Sequence, residues 1–214
     1  MLPIRDHLRT SIFPVVTYTV IAVNVIVFIL EVYLDVTGNL EWFFYEFAIT
    51  PALIVQGEQL YTLVTAMFMH GGFMHILFNM LYLYIFGNNV EDSMGSGRFV
   101  LFYLMCGVIA SFAHIFIDPS STIPTLGASG AIAGVLGAYM VLYPRERVDA
   151  LLGYIYVRVP AVVVLLSWFV LQLFSGFLSL GGTGGGVAFF AHIGGFIAGA
   201  ILIFIFRKRQ RDQW

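Results

Sequence analysis

The chain has 214 residues, of which 60% are hydrophobic and only 10% are charged, and its mean hydropathy is +0.92. Soluble domains carry about 25% charged residues, so this composition excludes an ordinary water-soluble globule and indicates a membrane protein. The formal net charge of −2 shows no basic excess, and no nucleic-acid partner is expected. A single cysteine, Cys106, excludes an intrachain disulfide.

Six apolar runs are candidate membrane spans, each of which needs about 20 residues as a helix. The second and fourth are short and are expected to borrow neighbours such as Met67–Met69 and Leu126. We predict an all-α polytopic bundle of six transmembrane helices in a single domain, 1–214, with short tails at 1–13 and 207–214. The runs are Pro14–Leu34, Phe73–Phe86, Phe99–Ile117, Ala128–Tyr143, Val159–Leu180 and Val187–Phe206.

The positive charges follow this division of the chain. All ten Lys and Arg residues lie before the first run, between the second and third, between the fourth and fifth, or after the sixth. Positive charge is retained in the cytoplasm, so both termini are predicted to be cytoplasmic and the odd-numbered loops external. The predicted location is the plasma membrane of a bacterium or archaeon.

Two of the external loops have unusual compositions. The first, Asp35–His70, is long and contains the aromatic stretch EWFFYEFAITPALI, which is typical of a segment lying in the membrane interface. The fifth contains SLGGTGGGV and is predicted to be a flexible hinge.

Polar side chains inside the spans are costly and indicate function by default. The second, fourth and sixth runs all start at the outer side, so His75, Asn79, Ser129 and His192 are predicted to share one depth near the outer surface. His75 and Asn79 are four residues apart and therefore lie on one helix face. His70 is expected to lie in the preceding loop.

Other polar residues in the spans are predicted to be structural. Glu31 and His114 lie near the outer ends of their runs. Glu31 is the only acid within a run, and it is not expected to orient His192. The prediction is therefore a catalytic dyad without a carboxylate.

Small residues explain how the fourth and sixth runs could meet. The stretch TLGASGAIAGVLGA surrounds Ser129 with glycine and alanine, including Gly130-x-x-x-Gly134. In the sixth run, Gly195 and Gly199 lie on the same face as His192. Such glycine pairs let helix backbones approach closely, which would bring the serine hydroxyl to the imidazole. A serine beside a histidine base is the minimal arrangement for an activated nucleophile.

The start of the fourth helix offers an oxyanion site. Backbone N–H groups in a first turn have no acceptor within the helix and lie at the positive end of its dipole. His75 and Asn79 can donate further hydrogen bonds to the same developing oxyanion.

Structural interpretations of these residues remain open at this point. Ser129 is a small residue of the kind found at helix interfaces, and His75 and Asn79 are able to join helices by hydrogen bonds. A zinc site formed by His70, His75 and His192 is a further alternative. No cysteine or carboxylate accompanies these histidines and no HExxH motif is present, so no metal or cofactor is expected.

Taken together, the motifs resemble the rhomboid family of intramembrane serine proteases. The resemblance covers nearly the whole chain after the first run, through HGGFMHILFNM, GNNVEDSMGSGRF, GASG and AHIGGFIAG. It implies Ser129 as the nucleophile and His192 as the general base. It also implies an oxyanion site formed by His75, Asn79 and the Ser129 backbone N–H.

The remaining family positions have supporting roles by the same resemblance. His70 matches a histidine that supports the loop at the active site, and Gly127, Gly195 and Gly199 match glycines of the motifs. Two positions depart from the family pattern. Tyr61-Thr62 stands where many members have Trp-Arg, and Ala133 stands where some have a tyrosine stacked on the catalytic histidine, so His192 must be held in another way.

The implied activity is hydrolysis of peptide bonds in transmembrane helices of substrate proteins within the bilayer, near the outer surface. Two other functions are considered. An inactive rhomboid-like protein would bind membrane clients without cleaving them, and such proteins typically lose the Ser or the His, both of which this chain keeps. A transporter or proton relay built on intramembrane His and Glu would show repeats or broken helices, and the sequence has neither.

Overall fold

The computed structural model describes residues 1–179 and 189–208. The predicted glycine hinge and the end of the C-terminal tail lie outside these residues. The first half contains α1 (Val15–Val36), α2 (Leu40–Phe47), α3 (Pro51–Val55), α4 (Thr62–Thr65), a 3₁₀ turn (Ala66–Phe68) and α5 (Phe73–Tyr82). A π-helical segment (Leu83–Gly87) joins α5 to α6 (Asn88–Met94), followed by α7 (Ser96–Ile117), α8 (Ser129–Leu142), α9 (Ala161–Ser179) and α10 (Phe189–Phe206).

Long apolar helices confirm an integral, multi-pass membrane protein. In the described residues α1, α7 and α10 are each long and apolar enough to cross a membrane, and a bent pair, Thr62–Phe68 with Phe73–Met94, counts as a fourth candidate. The apolar helices α8 and Ala161–Ser175 are shorter. The predicted helical membrane fold is confirmed, and these helices are compatible with six spans.

The second span has different ends in the structure from those predicted. The expectation that it borrows Met67–Met69 is wrong, because a bend of 94° separates Thr62–Phe68 from the following helix. Met69 has an extended backbone (φ −100°, ψ 152°) that ends the 3₁₀ turn. The helix gains its length at the other end instead, where the π-helical segment carries it on to Met94.

The structure contains a three-stranded antiparallel sheet that the all-α prediction did not include. Its strands are β1 (Leu2–Asp6), β2 (Arg147–Leu152) and β3 (Ile155–Pro160), in the order β1-β2-β3. Part of the predicted tail, 1–13, is therefore a strand. The predicted fifth span starts two residues later than expected, at Ala161, because Val159 and Pro160 belong to β3.

A buried carboxylate ties the sheet together. The Asp149 side chain is 1% exposed and accepts a hydrogen bond of 2.7 Å from Arg158 Nε, while His7 Nε2 lies 2.9 Å away. The hydrogen bond from Arg158 holds the pKa of Asp149 well below its usual range. Arg5 adds a third partner at 3.6 Å.

The sheet lies at one end of the bundle together with the start of α1 and the end of α10. Ser11 donates to the Asp92 carboxylate, and the backbone N–H of Lys208 donates to the Ser93 carbonyl over 2.9 Å. The four segments that carry positive charge thus meet at this end. Helix α8 runs from Ser129 toward the sheet, so Ser129 lies at the opposite end.

Helix α8 is the inner helix and contacts α10 backbone to backbone. All residues from Gly130 to Tyr139 are buried. A Cβ atom built on Gly199 would lie 1.8 Å from the Gly134 carbonyl oxygen, and one on Gly195 would lie 2.1 Å from the Gly130 carbonyl oxygen. Neither glycine can be replaced without separating the helices, so these contacts help to set the distance between α8 and α10.

Asp6 makes the docking of β1 sensitive to pH. Its carboxylate accepts hydrogen bonds from Tyr139 Oη, at 2.9 Å, and from Asn89 Nδ2. Burial raises the pKa of Asp6 to about 6 from 3.8. Because the folded pKa is above the unfolded one, the folded state binds more protons between these values, and its stability falls as the pH rises through about 6.

We therefore expect the amides of β1 to be better protected from hydrogen exchange at pH 5 than at pH 7.5, after correction for intrinsic exchange rates. The Asp6→Asn variant removes the titrating group and should lose most of this difference. An unchanged pH dependence in Asp6→Asn would contradict its assignment to Asp6.

Candidate active site

Ser129 is the first residue of α8, and the region between α1 and α5 fixes the segment that leads to it. Ile49 and Thr125 exchange backbone hydrogen bonds of 2.9 and 2.8 Å. The Gly127 N–H donates to the Ala66 carbonyl over 2.9 Å. Two anchors thus precede the serine, and they place its hydroxyl and its free first-turn N–H groups at the end of the buried helix.

The structure brings Ser129 and His192 together. Ser129 Oγ lies 2.7 Å from His192 Nε2, a distance typical of a strong hydrogen bond. His192 is the fourth residue of α10 and is 8% exposed. The imidazole and the hydroxyl meet because glycines pack α8 closely against α10 just below them.

The other imidazole nitrogen has a partner that the sequence analysis missed. His192 Nδ1 lies 2.9 Å from Gln172 Oε1 of α9. Trp168, one turn earlier, lies beside the same imidazole with 5.9 Å between ring centroids. A signal was present in the sequence, since Gln172 is the one amide side chain in the predicted fifth span.

His75 and Ser129 flank Gly127. A Cβ atom built on Gly127 would lie 2.9 Å from His75 Nε2 and 3.5 Å from Ser129 Oγ. Gly127 also has φ +135°, which side chains disfavour. Glycine therefore leaves this space between the imidazole and the hydroxyl open.

Asn79 lies one turn below His75 on α5 and is 7% exposed. In the part of the chain that the structure describes, its Nδ2 donor has no hydrogen-bond partner. A buried amide donor without an acceptor costs free energy, and this is the situation expected of a group that awaits an oxyanion.

His70 and Glu31 form a separate support behind His75. The His70 backbone N–H donates to Glu31 Oε1 over 3.0 Å. The His70 ring packs edge-on against the His75 ring at a centroid distance of 5.0 Å. Glu31 is thus engaged with the loop at His70, and His70 in turn packs on His75.

A small cavity lies beside Ser129 on the α7 side. Its volume is about 30 Å³, and its polar lining comes from Ser111, His114, Thr125 and Ser129. His114 Nε2 lies 3.1 Å from Thr125 Oγ1. The cavity is large enough for a water molecule. Among the described residues, no cluster of three His, Cys, Asp or Glu side chains is placed to hold a metal ion.

Tyr61 and Thr62, the first departure from the family pattern noted in the sequence, form hydrogen bonds within the region between α1 and α5. Tyr61 Oη donates to Glu46 Oε1 over 2.8 Å, and Thr62 Oγ1 donates to the Gln59 carbonyl over 2.8 Å. Ala133 is fully buried inside α8. The support for His192 accordingly comes from α9, through Gln172 and Trp168.

Comparisons with known proteins agree with the fold. The Rhomboid domain model matches residues 57–209. RHOMBOID-like protein 6, mitochondrial, of Arabidopsis thaliana is 30% identical over 85% of this chain and 52% of its own length. Rhomboid protease GluP of Bacillus subtilis (strain 168) is 39% identical over 63% of this chain and 26% of its own length.

A third relative, Rhomboid-like protease 3 of Toxoplasma gondii, is 26% identical over 72% of this chain and 54% of its own length. The chain spans about half the length of the plant relative and about a quarter of the Bacillus one. The matched region contains α5 to α10 and with them the Ser129–His192 pair. This chain belongs to the rhomboid family.

Proposed function

We propose that this chain is an intramembrane serine protease that uses Ser129 as nucleophile and His192 as general base. The observation that carries the proposal is the 2.7 Å contact between Ser129 Oγ and His192 Nε2 at the start of a buried helix. Family membership adds that the contact lies in a scaffold shared with named rhomboid proteases.

The chemistry follows the two-step route of a serine hydrolase. Ser129 Oγ attacks the scissile carbonyl carbon while its proton passes to His192 Nε2. The tetrahedral intermediate collapses, the C–N bond breaks, and the imidazolium returns the proton to the leaving amine. Water then attacks the acyl-enzyme with His192 again as base, which releases the new carboxylate and regenerates Ser129.

Three groups are suited to hold the oxyanion of the tetrahedral intermediate. The first-turn N–H of Ser129 has no acceptor within the helix, and His75 lies across Gly127 from the serine. Asn79 offers an Nδ2 donor that has no partner among the described residues. The cavity of about 30 Å³ beside Ser129 is suited to hold the water for the second step.

The proposed substrates are transmembrane helices of other membrane proteins. A peptide carbonyl in a helix is bonded to the N–H four residues later, so the substrate must unwind locally before Ser129 can reach it. Helix-breaking residues near the scissile bond should therefore favour cleavage.

We further propose that both termini are cytoplasmic, in a bacterial or archaeal plasma membrane, with the dyad near the external surface. Support comes from the positively charged segments, which meet at the end of the bundle opposite Ser129. Reporter fusions before Leu2 and after Asp212 should both read as cytoplasmic in a bacterial host. An external signal from either fusion would contradict this orientation.

The activity is tested with the purified protein in liposomes together with a single-pass substrate whose helix carries a Gly-Ala segment near one end. We expect two fragments, with mass spectrometry placing the new termini in that segment. Co-purification with the substrate without any cleavage, in a protein that unfolds cooperatively, would instead favour a client-binding role.

Asn79→Ala should lower turnover without abolishing it. The variant loses one oxyanion donor, and such a loss typically reduces kcat by about 10²–10³-fold. KM should change little, because the donor acts on the transition state rather than on the bound substrate. An increase in KM at unchanged kcat would make Asn79 a substrate-binding or packing residue.

A further inference from the structure

We propose that Gln172 of α9 is a positioning residue that orients the His192 base. The proposal rests on the proposed function and adds a third member to the dyad. It places that member on a helix different from those that carry Ser129 and His192. It also accounts for how the imidazole is held in a chain with Ala133 at the position of the stacking tyrosine.

The hydrogen bonds around the imidazole define its tautomer. Gln172 Oε1 can only accept, so His192 Nδ1 must carry the proton that fills their 2.9 Å contact. His192 Nε2 is then unprotonated and accepts from Ser129 Oγ at 2.7 Å. This is the tautomer that a general base needs, since the lone pair must face the nucleophile.

The amide also stabilises the charged base. During attack His192 becomes an imidazolium, and a carbonyl dipole directed at Nδ1–H favours that cation. An amide does this without an ionised partner, as in Cys-His-Asn proteases, which perform the same chemistry with an amide as the third group. In an apolar site this avoids burying a carboxylate charge.

Aromatic contacts hold α9 against α10 so that the amide reaches the imidazole. Phe169 stacks on Phe196 at a centroid distance of 4.5 Å, and Trp168 lies 6.1 Å from the same ring. Since Gln172 lies one turn beyond Trp168, a displacement of α9 breaks the bond to His192 Nδ1. Orientation of the base thus depends on the docking of α9.

Other titratable groups near His192 are few within the described residues. His75 of α5 and His114 of α7 are close enough to interact with its charge. Ser129 of α8 and Gln172 of α9 contribute no charge. A new carboxylate at position 172 would therefore be the one acidic group in contact with the imidazole.

The test compares Gln172→Met with Gln172→Glu in liposomes, with Leu171→Met as the matched control because Leu171 is 59% exposed. Gln172→Met keeps the chain length but removes the acceptor, so kcat should fall on the order of ten- to a hundredfold at unchanged KM. Gln172→Glu keeps the acceptor and should retain substantial turnover.

The pH profile separates positioning from packing. A carboxylate beside His192 favours the imidazolium, so the acidic limb of kcat/KM for Gln172→Glu should move to higher pH by about one unit. Gln172→Met should lower kcat/KM at every pH without moving the acidic limb. Leu171→Met should have the same kcat/KM and pH profile as the parent protein.

The proposal is overturned if Gln172→Met turns over like the parent while Ser129→Ala is inactive, or if the acidic limb of Gln172→Glu stays in place. Inactivity of Gln172→Glu with Gln172→Met unaffected would also overturn it. A parent protein whose cleavage survives Ser129→Ala would instead refute the proposed function, and the two failures are therefore distinguishable.

Discussion

Replacing Ser129 or His192 by alanine is expected to abolish cleavage of a transmembrane substrate while the protein still inserts and folds. The nucleophile and its base act as one unit, so either loss should reduce kcat by about 10⁴-fold or more. The kcat of the double variant should be no lower than that of either single variant, because each change already removes the activated nucleophile. The measurement is the initial rate of cleavage in liposomes.

Two controls separate catalysis from folding. Ser167→Ala removes a hydroxyl that donates to the nearby Val164 carbonyl, and His7→Ala removes a histidine at the opposite end of the bundle. Both should cleave at close to the parent rate. Substantial cleavage by purified Ser129→Ala would remove the catalytic assignment.

Gly199→Leu should insert into the membrane but lose catalysis. Even the Cβ atom would lie 1.8 Å from the Gly134 carbonyl oxygen and 2.4 Å from its carbonyl carbon, so the two backbones must move apart by about 1 Å or more. Overpacking of this kind costs about 1–3 kcal/mol of stability. A misplacement of about 1 Å between reacting groups can reduce the rate on the order of a hundredfold.

Gly199→Ala meets the same backbone atoms and should also lose most of its activity. Gly97→Ala is the matched control, because a Cβ there meets no atom of the described residues within 4 Å. Ile201→Val, on a side chain that is 61% exposed, controls for a change within α10 itself. Parent-like cleavage by Gly199→Leu would show that the α8–α10 contact does not set the geometry of Ser129 and His192.

The helical fold and the meeting of Ser129 with His192 could be predicted from the sequence, because membrane burial imposes strong rules. Span length and positive charge predict depth and direction, and the predicted depth is enough to place His75, Ser129 and His192 at one end of the bundle. Glycines four residues apart then indicate which helices touch. Span length, charge distribution and glycine spacing can each be read from one sequence, because none of them depends on how distant segments pair.

The sheet and the role of Gln172 could not be predicted in the same way. Strand β1 is short and pairs with a segment more than 140 residues away, and nothing local encodes that pairing. Gln172 was visible as a polar residue in an apolar run, but its contact with His192 depends on how α9 rotates and docks on α10. The bend before Phe73 was missed because the apolar residues continue on both sides of Gly71-Gly72.

The most direct measurement is covalent labelling of the purified protein by a fluorophosphonate, with the modified residue identified by mass spectrometry. A serine reacts with this probe only when a base activates it, so the experiment reports the Ser129–His192 pair without any assumption about substrate. We expect labelling at Ser129 that is lost in His192→Ala and greatly slowed in Gly199→Leu. Labelling at another residue, or labelling of Ser129 that is unchanged in His192→Ala, would contradict it.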